Sequence, residues 1–157
     1  MKSICDFLLK NNIKIAIAES FTGGGLASRF VSVPGISEVF LASIVAYTDT
    51  MKEQLLGVDG DILSCFGAVS AECASAMALG VIEKTGADIA VATTGFAGPA
   101  ADSDVLPVGT FFIAVSDNEQ TVVRRFFHLG SRSEVTACGI NEAVQLLRDF
   151  LLKKHQI

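Results

Sequence analysis

The stretch that decides the fold is residues 13–31, which read IKIAIAESFTGGGLASRFV. Residues 13–18 form a short, mainly apolar run of the kind that makes a buried strand. Three consecutive glycines then predict a tight turn, and residues 26–31 are predicted to be helical. A strand, a glycine-rich turn and a helix in this order indicate an α/β fold with the turn at the carboxyl end of the strand.

The rest of the chain continues this alternation of strands and helices. Sequence patterns predict further strands over residues 39–47, 88–94, 108–115 and 121–127, and helices over residues 2–10, 48–56, 70–84 and 134–154. A short polar segment separates the last two strands, so they are predicted to form a hairpin. We therefore expect a sheet covered by helices on both faces, with an antiparallel pair near its end.

Capping residues mark the ends of the predicted helices. Thr50 and Glu53 have the spacing of a capping box, and Gly57 is expected to end the same helix. Ser70 is predicted to cap the long alanine-rich helix, and Gly86 is predicted to close it.

The composition is that of one compact domain. The chain has 157 residues, of which 50% are hydrophobic and 18% are charged, whereas a typical soluble domain has about 25% charged residues. A chain of this length buries roughly 68–70% of its extended surface, which is enough for one large core. Residues 1–157 are therefore expected to form a single domain, and intrinsic disorder is excluded as a description of the chain.

Hydropathy raises the question of a membrane, because the mean hydropathy is +0.50. The sequence nevertheless has no run of about 20 apolar residues, the length that a membrane-spanning helix needs. Lys2, Asp6 and Lys10 interrupt the N-terminal segment, so no export signal is predicted. We expect a cytoplasmic protein without a membrane partner.

Charge and cysteine spacing bear on partners and cofactors. The net charge is −5, and basic residues cluster at most in pairs, which disfavours nucleic-acid binding. Cys5, Cys65, Cys73 and Cys138 lack any C-x-x-C spacing, and the two histidines are isolated in the sequence. A metal site is therefore not expected, and the free thiols are typical of a reducing compartment.

The carboxyl ends of three predicted strands carry the residues that suggest chemistry, since ligands bind at this edge of open α/β sheets. The first end, residues 19–25 (ESFTGGG), would expose backbone N–H groups at a helix start. Such a geometry suits a phosphate or an oxyanion. The same residues also fit a tight turn with Ser20 or Thr22 as the helix N-cap.

The second strand end, residues 47–52 (YTDTMK), places Tyr47 at the strand exit and Lys52 in the first turn of a helix. The helix dipole and partial burial both lower the pKa of a lysine in this position, as a Ser–Lys catalytic pair requires. The alternative is an exposed lysine beside Glu53 on a polar face of the helix.

The third strand end is residues 93–99 (TTGFAGP), followed by residues 107–110 (PVGT). Its small side chains would let a ligand approach the backbone. Taken alone, the pattern is also common in simple turns.

Ordered motifs at characteristic spacing extend over nearly the whole chain. They are AESFTGG (18–24), PG (34–35), VAY (45–47) with Lys52, LGV (56–58), GAVS (67–70), TGFAGP (94–99) and PVGT (107–110). Together they resemble the C-terminal domain family of the competence/damage-inducible protein CinA, which includes stand-alone nicotinamide-mononucleotide amidohydrolases. The resemblance implies a three-layer α/β/α sandwich with a mixed, mostly parallel sheet of about six strands, and it implies a homodimer.

The resemblance also implies an enzyme that hydrolyses the carboxamide of nicotinamide mononucleotide to nicotinate mononucleotide and ammonia, with no metal or cofactor. The family's serine, lysine and tyrosine correspond to Ser20, Lys52 and Tyr47. In this interpretation neutral Lys52 accepts the proton of Ser20, whose Oγ attacks the amide carbonyl and forms an acyl-enzyme. Tyr47 would either hold Lys52 in place or relay a proton to the leaving amine.

Seven further residues are predicted to bind the substrate: Glu19, Thr22, Gly23, Gly24, Thr94, Gly95 and Arg132. Backbone N–H groups of residues 22–24 would bind either the oxyanion or the substrate phosphate. Glu19 would orient Lys52, bind a ribose hydroxyl or accept hydrogen bonds within the turn. Thr94 and Gly95 are expected to line the nucleotide pocket, and Arg132 is a cation suited to phosphate.

Two departures from the family pattern concern substrate binding. Residues 100–106 (AADSDVL) lack the family's glycine pair and the lysine before Pro107, and Thr136 stands where the family has a second arginine. These changes bear on phosphate binding more than on chemistry at Ser20. They leave two other interpretations open: a nucleotide-binding or regulatory module of the same fold without turnover, and a Ser–Lys amidase that acts on another amide.

Overall fold

A computed structural model describes residues 1–99 and 106–155, and it contains one mixed β-sheet. The strands are β1 (Ile15–Glu19), β2 (Phe40–Val45), β3 (Ile89–Gly95), β4 (Thr110–Asp117) and β5 (Thr121–Phe127). Their spatial order is β2-β1-β3-β4-β5. Strand β1 is parallel to β2 and β3, whereas β4 is antiparallel to both β3 and β5.

The mixed sheet and the hairpin of β4 and β5 confirm the sequence predictions. The strand count differs, since the described residues form five strands instead of about six. The share of parallel pairings is also lower than the mostly parallel sheet that was predicted, because two of the four strand pairings are antiparallel. The reason is that the chain runs back along β3 to form β4, instead of crossing over through a helix to add another parallel strand.

Helices cover both faces of the sheet, as expected. They are α1 (Lys2–Asn11), α2 (Gly25–Val31), α3 (Asp49–Leu56), α4 (Gly60–Phe66), α5 (Ala71–Thr85) and α6 (Arg132–His155). Side chains of α1, α2 and α6 pack in the core on one face of the sheet. Side chains of α3, α4 and α5 pack in the core on the other face, so the fold is a three-layer sandwich.

The two cores differ because large and small side chains alternate along the central strands. In β1, Ile15 and Ile17 belong to the core with α6, whereas Ala16 and Ala18 belong to the core with α5. Strand β3 repeats the pattern with isoleucine and valine on one face and alanine on the other. Since successive strand residues point to opposite faces, the alanine face lets α5 lie close to the sheet.

The helix ends follow the predicted caps with one exception. Ser70 accepts a hydrogen bond from the N–H of Cys73, and Gly57 and Gly86 end their helices in the left-handed conformation. The capping-box prediction at Thr50 was wrong, because Thr48 is the residue that caps α3 and accepts from the N–H of Met51. Thr48 has the extended backbone that an N-cap needs, whereas Thr50 is already helical.

Two elements were not predicted: α4 and a short 3-10 helix at Ile36–Glu38. Helix α4 is only seven residues long and is capped by Asp59, so its apolar period is too short to stand out in the sequence. Within residues 1–99 and 106–155, none of the helices has the length and apolar character needed to cross a bilayer.

The strand order fixes where a ligand site would lie. From β1 the chain moves to β2 on one side of the sheet and then returns to β3 on the other side. The carboxyl ends of β1 and β3 therefore flank a topological switch point, which is where open α/β sheets bind their ligands. Residues that follow β1, β2 and β3 meet at this edge.

A close approach between α5 and the end of α3 gives a stability prediction. A Cβ atom on Gly80 would lie 1.8 Å from the carbonyl oxygen of Leu56, so Gly80→Ala must push the two helices apart. We expect a loss of about 2–3 kcal/mol in the free energy of unfolding, seen as a fall of about 5–10 °C in the melting temperature.

Gly60 supplies the matched control, because its Cβ would meet Glu53 Oε1 at 3.4 Å, an ordinary contact. Gly60→Ala at the start of α4 should leave the melting temperature unchanged within about 2 °C. Equal melting temperatures for the two variants would contradict the close packing of α5 on α3.

Candidate active site

The carboxyl ends of β1 and β3 open into a cavity of about 590 Å³, within the range of roughly 300–1,000 Å³ typical of small-molecule sites. The three predicted strand ends all contribute to its wall. Its lining consists of Ser20 and Phe21, then Tyr47, Asp49 and Lys52, residues 65–69 and 94–98, and Leu106 and Arg132. The predicted catalytic residues therefore lie on one cavity.

Ser20 is the first residue after β1. Its N–H donates to the carbonyl of Thr93 at 3.0 Å, so the backbone is still held against β3 at this point. The Ser20 side chain is nearly buried, and its Oγ lies 3.4 Å from the Nζ of Lys52. The fold thus brings together a hydroxyl and an amine that are 32 positions apart in the sequence.

Lys52 belongs to α3 and is only 2% exposed. Burial lowers the pKa of its amine, and negative charge on an ionised Cys73 or on Asp49 acts against that shift. The Oδ1 of Asp49 lies 4.0 Å from the Lys52 Nζ. The alternative of an exposed lysine on a polar helix face does not describe this residue, and the lowered pKa favours the neutral amine that a base requires.

Cys73, in the first turn of α5, is a fully buried neighbour of the amine. Burial raises the pKa of its thiol to about 11, although the nearby Lys52 opposes the shift. The thiol is therefore protonated near neutral pH and adds no charge next to Lys52. A reactive cysteine needs a lowered pKa, so Cys73 has the properties of a core residue.

Glu19 is the last residue of β1 and is completely buried. Its carboxylate accepts hydrogen bonds from the N–H groups of Gly24, Leu26 and Ala27 and from the Ser43 hydroxyl, at 2.9–3.2 Å. All four partners are donors, which matches an acceptor-only carboxylate. Of the three roles considered for Glu19, these contacts favour the acceptor within the turn, and Glu19 does not line the cavity.

The glycine turn is consequently not a free anion site. The Gly24 N–H is bonded to Glu19, the Gly23 N–H donates to the Ser20 carbonyl at 3.0 Å, and the Thr22 hydroxyl is bonded to that of Thr93 at 2.7 Å. By contrast, the N–H groups of Phe21 and Thr22 have no acceptor among the residues the structure describes. These two groups are the donors that remain next to Ser20.

Tyr47 lies at the exit of β2 and is 54% exposed. Its hydroxyl accepts a hydrogen bond from Nη2 of Arg132, and Nη1 of Arg132 donates to the Gly98 carbonyl at 2.6 Å. The sequence interpretation placed Tyr47 against Lys52, whereas the structure places it against Arg132 at the start of α6. Arg132 thereby joins the strand exit of β2 to the turn after β3.

Thr94 and Gly95, two of the residues predicted to bind the substrate, line the cavity at the end of β3. The Thr94 hydroxyl donates to the carbonyl of Ala68 at 2.6 Å and so holds the turn before α5 against the strand. A Cβ atom on Gly95 would lie 2.4 Å from the Cβ of Phe111, so only glycine fits beside β4 here.

Sequence reasoning missed two parts of the site. Asp49 was seen only as one letter of the YTDTMK segment, although it lines the cavity beside Lys52. Residues 65–69 form a wall between α4 and α5, and their GAVS motif (67–70) was the signal that could have included them. The altered residues 100–105 lie outside the described residues, and Thr136 lies on α6, one turn beyond Arg132.

The described His, Cys, Asp and Glu residues form no group of three or more with the spacing of a metal site.

Comparison with known proteins gives consistent matches. The family model described as the CinA C-terminal domain matches residues 1–151. A CinA-like protein from Thermotoga maritima is 40% identical over 158 aligned positions, which cover all of this chain and 38% of that protein. A CinA-like protein from Chlorobium limicola is 53% identical over 109 residues, covering 69% of this chain and 25% of that protein. The chain spans less than two fifths of the length of these relatives.

Solved structures agree with the sequence matches. A CinA superfamily protein from Klebsiella pneumoniae 700603 has a TM-score of 0.93 at 29% identity, covering 97% of this chain and 95% of that chain. A CinA superfamily protein from Escherichia coli has a TM-score of 0.90 at 31% identity, covering 96% of this chain and 86% of that chain. With the family model matching almost from end to end, this chain belongs to the CinA C-terminal domain family.

Proposed function

We propose that this chain is an amidohydrolase that cleaves the carboxamide of nicotinamide mononucleotide, giving nicotinate mononucleotide and ammonia. The observation that carries the proposal is the contact between Ser20 Oγ and Lys52 Nζ at 3.4 Å on the wall of a small-molecule-sized cavity. A serine beside a buried amine is a nucleophile paired with a base. The choice of a nicotinamide nucleotide rests on family membership.

The first step is attack on the amide. Neutral Lys52 takes the proton of the Ser20 hydroxyl as Oγ bonds to the carbonyl carbon. The protonated amine then gives that proton to the departing nitrogen, which leaves as ammonia and forms an acyl-enzyme on Ser20. Water then gives a proton to the same amine as its oxygen bonds to the ester carbonyl, and the amine returns that proton to the departing Oγ of Ser20, which releases the nicotinate product and restores the enzyme.

Stabilisation of the tetrahedral oxyanion is assigned to the N–H groups of Phe21 and Thr22. They directly follow Ser20 and are unpaired among the described residues. Removal of one donor that is aimed at a developing oxyanion commonly costs about 3 kcal/mol of barrier. This replaces the earlier expectation for Gly23 and Gly24, whose N–H groups are already bonded within the chain.

Phosphate binding is assigned to Arg132. Glu19 already occupies the N-terminus of α2 with a negative charge, so a second anion there would meet repulsion. Arg132 lines the cavity and is a planar cation suited to phosphate oxygens. Its bond to Tyr47 gives the tyrosine a role in holding the phosphate-binding arginine.

The central test is ammonia release from nicotinamide mononucleotide by the purified protein and by Ser20→Ala. The variant should lose at least about 10³-fold in rate, because the nucleophile is absent. Its melting temperature and nucleotide binding should stay near those of the wild type.

Turnover retained in Ser20→Ala would contradict the assignment of the nucleophile. A wild-type protein that binds the nucleotide but releases no ammonia would favour the non-catalytic binding module instead. Release from other amides but not from the nucleotide would favour a different amidase.

Lys52→Met should abolish turnover and raise the melting temperature by about 2–4 °C, which corresponds to about 1 kcal/mol in a chain of this size. Methionine fills the same space without a buried amine. Lys153→Met, at an exposed position of α6, should change neither activity nor melting temperature.

The stability difference between wild type and Lys52→Met should depend on pH. The folded-state pKa of Lys52 is lowered, so as pH falls below the ordinary lysine pKa only the unfolded chain takes up a proton at first. The wild type therefore loses stability relative to the variant on going from alkaline to neutral pH. A wild type that is the more stable protein at pH 7 would contradict this account of Lys52.

Arg132→Met should reduce kcat/KM for nicotinamide mononucleotide by about 10- to 100-fold, the value of a charge-assisted contact. The loss should be much smaller for nicotinamide riboside, which has no phosphate. Arg148→Met, at an exposed position of the same helix, is the control and should leave both substrates unaffected. Equal losses on the two substrates would argue against phosphate recognition by Arg132.

A further inference from the structure

We propose that Asp49 is a positioning residue of the site: its carboxylate holds the Lys52 amine beside Ser20 and sets the lower pH limit of Lys52 as a base. The proposal rests on the proposed function only for its consequence in catalysis. The electrostatic coupling between Asp49 and Lys52 is a property of the protein itself and can be measured without a substrate.

The geometry places the carboxylate where it can act. Asp49 and Lys52 are one turn apart on α3, and Asp49 Oδ1 lies 4.0 Å from Lys52 Nζ. Both residues line the cavity, but the side chain of Asp49 is 59% exposed whereas that of Lys52 is 3% exposed. The Asp49 carboxylate therefore lies at the solvent-exposed edge of the cavity, close to the buried amine of Lys52.

The other groups that face Lys52 are uncharged near neutral pH. The Ser20 hydroxyl approaches from the end of β1 at 3.4 Å. The Cys73 thiol approaches from α5, and its pKa is raised to about 11. Among the described residues that act on the amine, Asp49 is thus the one that carries a charge in the working pH range.

The direction of the effect follows from this charge. A carboxylate near an ammonium group favours the protonated form, so Asp49 raises the pKa of Lys52 against the stronger lowering by burial. Removing the charge makes the amine lose its proton at lower pH. Asp49→Asn should therefore extend the active form of Lys52 to more acidic conditions.

A simpler role for Asp49 is that of an acidic residue at a helix start, since it occupies the first position of α3. That role changes the stability of the helix but does not move the titration of Lys52. The titration of Lys52 is consequently the measurement that separates the two roles.

The experiment is competitive labelling of lysines with trace acetic anhydride across pH 5.5–10.5, with the peptide that contains Lys52 quantified by mass spectrometry and Lys153 as internal reference. It is applied to the wild type, Asp49→Asn, Asp49→Glu and Glu53→Gln. Glu53 is the matched control because it is an exposed carboxylate on the same helix, next to Lys52 in sequence.

In Asp49→Asn the labelling midpoint of Lys52 should fall by about 0.5–1 pH unit, as expected for a charge 4.0 Å away in a hydrated setting. Glu53→Gln should leave the midpoint unchanged, and Asp49→Glu should keep it closer to the wild type. In 1 M salt the wild-type midpoint should move towards that of Asp49→Asn, because an exposed carboxylate is screened. Identical midpoints in the wild type and Asp49→Asn, or a rise in the variant, would overturn the proposal.

Activity provides the second readout. On one substrate the acidic limb of kcat/KM should shift with the labelling midpoint, so that below both midpoints Asp49→Asn is about 3- to 10-fold faster than the wild type. A shifted labelling midpoint in a protein that hydrolyses no amide would sustain the role of Asp49 and reject the proposed function. Amide hydrolysis by the wild type, with the same Lys52 labelling midpoint in the wild type and Asp49→Asn, would sustain the proposed function and reject the role of Asp49.

Discussion

The hydrogen bonds that the buried carboxylate of Glu19 accepts are the interaction on which the site depends. It ties the end of β1 to the first turn of α2 through three backbone N–H groups, and it reaches β2 through the Ser43 hydroxyl. A buried charge is tolerated only when its lone pairs are satisfied, so the turn between Glu19 and α2 has little freedom. Ser20 is the next residue, and its position follows from that constraint.

The small side chains on one face of the sheet help to determine where Lys52, the second residue of the Ser20–Lys52 pair, lies. Because β1 and β3 present alanine to α5, that helix lies close to the sheet, and Gly80 lets the end of α3 approach it in turn. Helix α3 carries the buried Lys52, whose Nζ lies 3.4 Å from the Oγ of Ser20 just after β1. The alternation of large and small residues in β1 and β3 thus contributes to the short distance between the Lys52 amine and the Ser20 hydroxyl.

Most local features were predictable from the sequence, apart from helix α4, the short 3-10 helix and the cap of α3, whereas long-range side-chain contacts were not. The strand, glycine turn and helix after residue 13, the Ser70 cap and the glycine helix ends depend on neighbours in the chain, and all are present. The contact of Tyr47 with Arg132 joins residues 85 positions apart, and no local pattern encodes it. The role of Glu19 as the acceptor for the backbone N–H groups of the glycine turn was equally unpredictable, because the sequence does not show which donors surround its carboxylate in the fold.

The carboxylate of Glu19 at the N-terminus of α2 also bears on where an anionic ligand can bind. In many α/β proteins a glycine turn at a helix start binds the ligand's phosphate, but here Glu19 already satisfies those donors. Under the proposed function, the cation for the anionic substrate comes from elsewhere, and Arg132 on α6 lines the same cavity. Under the proposed function, the phosphate would then be bound by a residue of α6, whereas the paired hydroxyl and amine belong to Ser20, directly after β1, and to Lys52 on α3.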